Sequence, residues 1–125
     1  MTDNFIPMEN GNIKISQEVI VRISAISARD VEGVAGLGGA GGIADFLGKK
    51  TSEKGIKVEM TDDSTTIDVH VTVKFGVKIN EVAYKLQKAV KNAVESYAGI
   101  DNITVNVFVD GIEFDKNSEE NTDEK

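Results

Sequence analysis

Two stretches near the middle of the chain alternate strictly between apolar and polar side chains. Ile56, Val58 and Met60 alternate with Lys57, Glu59 and Thr61, and Ile67, Val69, Val71, Val73 and Phe75 alternate with Asp68, His70, Thr72 and Lys74. Successive strand residues point to opposite faces, so this pattern predicts two strands with one buried face each. Asp62, Asp63 and Ser64 between them are turn formers, which makes the pair an antiparallel hairpin. Ile103, Val105, Val107 and Val109 alternate with Thr104, Asn106, Phe108 and Asp110, predicting a last strand that runs to about Ile112. A weaker alternation from Gly11 to Ile15 suits a short first strand.

Two other stretches carry apolar residues at helical spacing. Ser16 is a cap for a helix running to about Glu32, with Val19, Ile20, Ile23 and Ile26 on its apolar side and Glu18 in the first turn. Asn80 caps a second, whose stripe is Val82, Leu86, Ala89, Val90, Ala93 and Tyr97 and whose stop is Gly99. Glu81 with Lys85, and Lys91 with Glu95, set opposite charges one turn apart on its surface. Between these regions Gly33 ends the first helix, and Val34 to Leu37 leads into Gly38-Gly39-Ala40-Gly41-Gly42. Glycines lose much backbone entropy on ordering, so this run reads as a mobile loop, followed by a short helix over Ile43 to Leu47.

The expected order is strand, helix, short helix, strand, strand, helix, strand. Strands with one apolar face and helices with one apolar stripe predict a two-layer α+β sandwich, with both long helices on one face of a mixed sheet. Residues 11–112 form the single domain, 1–10 a flexible arm and 113–125 a disordered acidic tail.

Composition narrows the function. A chain of 125 residues supports one core, and 40% hydrophobic with 28% charged residues suits a folded domain. The net charge is −7, of which −4 lies in residues 113–125, so a protein that works by neutralising phosphates is disfavoured. Without cysteine there is no disulfide frame, thiolate metal site or thiol nucleophile. The first residues lack a signal-peptide pattern, and no run approaches the ~18 apolar residues of a membrane span. The expected location is cytoplasmic, without direct membrane insertion.

Candidate chemistry is sparse. Gly36-Leu37-Gly38-Gly39-Ala40-Gly41 fits the letters of a dinucleotide-binding G-x-G-x-x-G but lacks the full strand that should precede it. Gly48-Lys49-Lys50-Thr51 misses the first glycine of a P-loop, where Ile43 stands. Gly36-Leu37-Gly38-Gly39 within this element order also resembles the GXXG loop of an RNA-binding KH domain, with Lys49 and Lys50 as phosphate contacts. His70 is a lone histidine on a polar strand face without the spacing of a metal site. Ser16, Ser24, Ser27 and Ser96 fall on helices and make no triad pattern with it. Phe108, an aromatic among Thr104, Asn106 and Asp110, is either a surface residue or an anchor for a protein contact. No catalytic, cofactor or metal residues are assigned; the candidate contacts to a partner or to RNA are Gly36, Gly38, Gly39, Lys49, Lys50 and Phe108.

Gly11-Asn12-Ile13-Lys14-Ile15-Ser16, Val19-Ile20, Gly33-Val34-Ala35-Gly36-Leu37, Lys54-Gly55-Ile56-Lys57-Val58 and Ile103 through Ile112 together resemble the alkaline shock protein family of Gram-positive bacteria. The likeness spans about residues 11–112. It implies a cytoplasmic protein without enzymatic activity, associated with cell-envelope or alkaline stress, and in some members held at the membrane by a separate anchoring protein. Other members are connected with fatty-acid metabolism. The expected function is therefore a non-enzymatic interaction module that self-associates or binds a protein partner, with RNA binding as the alternative.

Overall fold

The alternation from Thr65 to Lys74 becomes the central strand of the sheet. In the computed structural model, which describes residues 5–38 and 55–114, the chain forms β1 (Phe5–Met8), β2 (Gly11–Lys14), α1 (Gln17–Arg29) and β3 (Val34–Leu37). β4 (Ile56–Met60), β5 (Thr65–Lys74), α2 (Ile79–Ala98) and β6 (Ile103–Glu113) follow. β6 runs parallel along one edge of β5 over its whole length. The other edge of β5 is shared: β4 pairs antiparallel with Thr65 to Val69, and β3 pairs antiparallel with Val71 to Val73. The mixed sheet thus has four strands but is three wide, because β3 and β4 lie end to end.

The junction between β3 and β4 is built on one residue. The Gly38 amide donates to the His70 carbonyl at 2.6 Å, and the His70 amide donates to the Gly55 carbonyl at 2.7 Å. Gly38 and Gly55 therefore meet β5 on the same rung. The expected short helix over Ile43 to Leu47, with Gly39, Lys49 and Lys50, lies between them, outside the described residues.

Both helices pack on one face of the sheet, α1 against β3 and β4, and α2 against β6, with the helices also against each other. The core between the layers joins Ile20, Val21, Ala25 and Ala28 of α1, Val82, Leu86, Val90 and Val94 of α2, and the inward strand residues Ile56, Ile67, Val69, Val71, Val73 and Val105. Burying each isoleucine, leucine or valine contributes about 1.5–3 kcal/mol relative to exposure, so this layer dominates stability. The two-layer α+β architecture with both long helices on one face is the expected one.

Three features differ from the sequence reading. Residues 1–10 were expected to be an arm, yet Phe5–Met8 pairs with β2 as a hairpin separate from the main sheet. Pro7 sits opposite Asn12 in that small sheet; proline cannot donate to a ladder but is tolerated where a partner strand is missing. Val34 to Leu37, expected to be only a lead into the glycine loop, is a strand, held by pairing with β5 and not by any alternation of its own. The second helix starts at Ile79 with Lys78 at the cap and no side-chain cap bond, so Asn80 does not cap it.

The helices are also rotated from the expected phase. Ser16 does cap α1, accepting from the Val19 amide at 3.3 Å, but the residues facing the sheet are Ile20, Val21, Ser24, Ala25 and Ala28. Ile26 is 66% exposed, and on α2 Tyr97 is 79% exposed while Val94 and Ala98 are buried.

One consequence is an orphan polar group. Ser24 is fully buried, and its hydroxyl has no hydrogen-bond partner among the described residues. An unsatisfied buried hydroxyl costs about 1–3 kcal/mol, so Ser24→Ala is expected to stabilise the chain by about 1 kcal/mol. A urea titration that placed the variant's midpoint below that of the parent would refute this.

Candidate functional site: the open face of the sheet

The strands' polar positions face away from both helices, and among the described residues no element covers them. Cross-strand register places His70 of β5 opposite Phe108 of β6, and their rings stack with centroids 4.5 Å apart and planes 14° from parallel. The Asp110 carboxylate lies 2.6 Å from His70 Nδ1, with both side chains 41% exposed. An ionised carboxylate only accepts, so Nδ1 carries the proton in this bond.

A backbone irregularity makes this trio possible. Val71 pairs with Val109 but Thr72 pairs with Gly111, so Asp110 is an extra residue in β6. Such a bulge re-aims the side chain that it inserts. The inserted Asp110 carboxylate bonds to His70, whose own rung with Phe108 lies beyond the Val71–Val109 pair. Gly111 leaves room for Thr72, whose hydroxyl lies 3.2 Å from where a Cβ would stand. That hydroxyl donates to the Gly38 carbonyl at 2.9 Å. Toward the other end, Asn106 Nδ2 donates to Asp68 Oδ1 at 3.0 Å.

The sequence candidates divide three ways. Phe108 stands on this face, on the edge strand β6. Gly36 and Gly38 border it through their pairing with Thr72 and His70. Gly39, Lys49 and Lys50 are outside the described residues. Gly36 lies within a strand, and Gly39 to Gly41, the remainder of the GXXG and G-x-G-x-x-G readings, lie outside the described residues. His70 was read as a lone histidine; its partner Asp110 was hidden because the bulge changes the register by one.

The chemistry available to this trio is limited. Ser16 is spent on its helix cap, and Ser27 bonds back to the Ile23 and Ser24 carbonyls. Ser24 is buried beneath the sheet's other face. None of these hydroxyls reaches His70. Among the described residues no group of three His, Cys, Asp or Glu side chains could hold a metal ion. An apolar groove of about 380 Å³ lies elsewhere, between the helices, lined by Ile23, Ile26, Ser27, Asp30, Ala93 and Tyr97. No described helix is long and apolar enough to cross a membrane.

A small α+β domain with a bare, aromatic-bearing sheet face is the class that these features define. The chain belongs to the alkaline shock protein 23 family, cell envelope-related function, whose model matches residues 6–114. It is 37% identical over 112 residues to YqhY of Bacillus subtilis, covering 88% of this chain and 83% of that one. It is 32% identical over 106 residues to YloU of the same organism, covering 82% and 88%. A Streptococcus pyogenes protein, Spy1614, is 35% identical over 108 residues, covering 83% and 89%. Among solved structures, a MamM-CTD has a TM-score of 0.48 at 17% identity, covering 81% of this chain and 100% of that one.

Proposed function

We propose that the chain is a non-enzymatic protein-interaction module that serves cell-envelope or alkaline stress homeostasis from the cytoplasmic side. A protein anchor, not insertion of its own helices, brings it to the membrane. The observation that carries this reading is the open sheet face, where Phe108 and His70 stack among polar side chains. An aromatic pair ringed by hydrogen-bonding side chains is the usual make-up of a protein hot spot. The His70–Asp110 pair is a positioning device on this reading: the carboxylate fixes the imidazole, and the imidazole holds the Phe108 ring in one orientation.

Crosslinking capture from an envelope fraction, with the purified chain as bait, tests the proposal. Truncating a hot-spot side chain costs about 2 kcal/mol or more, so Phe108→Ala is expected to weaken capture of its partners by about 30-fold. The substitution lies at an exposed position and leaves the core intact. Equal capture by the parent and by Phe108→Ala would show that the open face is not where partners dock.

A further inference from the structure

The sheet has two edges of different character. The β3–β4 edge is broken at the Gly38–Gly55 junction and carries Lys57 and Glu59. The β6 edge is unbroken from Ile103 to Val109, ahead of the bulge at Asp110, and pairs with no other described strand. Natural edge strands are blunted by lysine, proline or shortness. Residues 103–109 contain neither lysine nor proline, nor any charge at all. The single described side chain that meets this strand's backbone is Gln87 of α2, whose amide donates to the Val105 carbonyl at 3.1 Å.

The apolar layer also runs off this edge. On β5, Val69, Val71 and Val73 are fully buried, whereas their β6 neighbours Val107 and Val109 are only half-buried and Ile112 is 48% exposed. The described helices therefore cover the centre of the sheet fully and β6 only in part from Val107 onward.

We propose that this edge is closed by β6 of a second copy, paired antiparallel about a two-fold axis at Asn106. The proposal rests on the interaction-module reading and supplies one of its partners. The argument for a second copy is self-complementarity. With the axis at Asn106, Val105 meets Val107 and Ile103 meets Val109 on the helix side, and Thr104 meets Phe108 on the open side. Asn106 meets its own copy, and no like charges oppose one another, which directly facing charges would make costly. The same pairing covers the half-buried valines and joins the two open faces into one surface with two His70–Phe108 stacks. A two-fold axis is the usual symmetry of small homo-oligomers, and it closes the sheet instead of propagating it.

The absence of cysteine makes the test clean. Light scattering behind size exclusion at tens of micromolar is expected to give twice the 13.5 kDa chain mass. A cysteine at the axis sits within disulfide reach of its copy, so Asn106→Cys is expected to oxidise to a covalent dimer at least about tenfold faster than Glu59→Cys on the opposite edge. Thr104→Lys, at an exposed position, keeps the fold by circular dichroism and is expected to weaken the dimer by about tenfold or more, since edge lysine opposes strand addition. A monomeric parent, or Asn106→Cys that crosslinks no faster than Glu59→Cys, would overturn the pairing. If such a monomer still captures partners in a Phe108-dependent way, the pairing fails and the interaction reading stands. If capture is absent as well, both fail.

Discussion

Gly55→Ala is expected to lower the stability of the chain by about 3 kcal/mol, combining a left-handed backbone cost with local overpacking. Gly55 has φ +84°, a conformation that a side chain disfavours. A Cβ there would also run into the Gly38 backbone nitrogen and stand 2.7 Å from the His70 carbonyl oxygen. These are backbone atoms of the rung where β3 and β4 meet, so no side-chain rotation relieves the conflict. Either the Gly38–His70 bond or the His70–Gly55 bond must open. Gly36 provides the contrast: it has no positive φ and no described atom within 4 Å of where a Cβ would stand, so Gly36→Ala is expected to change stability by less than about 0.5 kcal/mol. Urea titration of both variants reads the difference. Near-equal midpoints would mean that the two short strands are not locked to each other through His70.

The same junction explains what could and could not be read from the sequence. Period-two alternation identified β4, β5 and β6 because each buries one face against helices, and burial leaves a pattern that does not depend on knowing the partner. β3 carries no such pattern. It is four residues long, includes a glycine, and owes its extended form to pairing with Val71 to Val73 across more than thirty intervening residues. Strand character imposed by a distant partner is invisible to a local reading. The glycine-rich motif was ambiguous for a related reason. Gly36 falls inside β3 and the Gly38 amide bonds to the His70 carbonyl, and glycine spacing alone does not tell a strand end from an approach to a phosphate.

The candidate site was legible in part. Alternation placed His70 and Phe108 on the polar faces of their strands, and it singled out Phe108 as an aromatic where a polar residue was expected. Their stacking required the parallel register of β5 and β6, which a single sequence does not contain. Asp110 was further hidden. Strict alternation continues through it, but the bulge after Val109 inserts it as an unpaired residue and brings its carboxylate to His70. The three groups are forty residues apart at their widest, so only tertiary pairing assembles them.

Leu86→Ala and Tyr97→Ala are expected to differ by at least about 2 kcal/mol, although the apolar stripe read from the sequence includes both residues. Leu86 is fully buried between α2 and the sheet, where deleting its side chain removes transfer energy and leaves a cavity; the expected loss is about 3 kcal/mol. Tyr97 is 79% exposed on the last turn of α2, beside the groove formed with Ile23 and Ile26, so its truncation is expected to stay within about 0.5 kcal/mol. The contrast follows from helix phase. A stripe of Val82, Leu86, Val90, Val94 and Ala98 advances by four residues at each step, and it is continued at its end by an alanine and not by the tyrosine. Alanine there fits where the chain turns at Gly99, whose amide closes the helix on the Glu95 carbonyl. Equal losses from the two substitutions would require Tyr97 to be covered in solution. Because nothing among the described residues covers it, a loss that grows with protein concentration would identify that cover as another molecule, whereas one independent of concentration would place it within the chain.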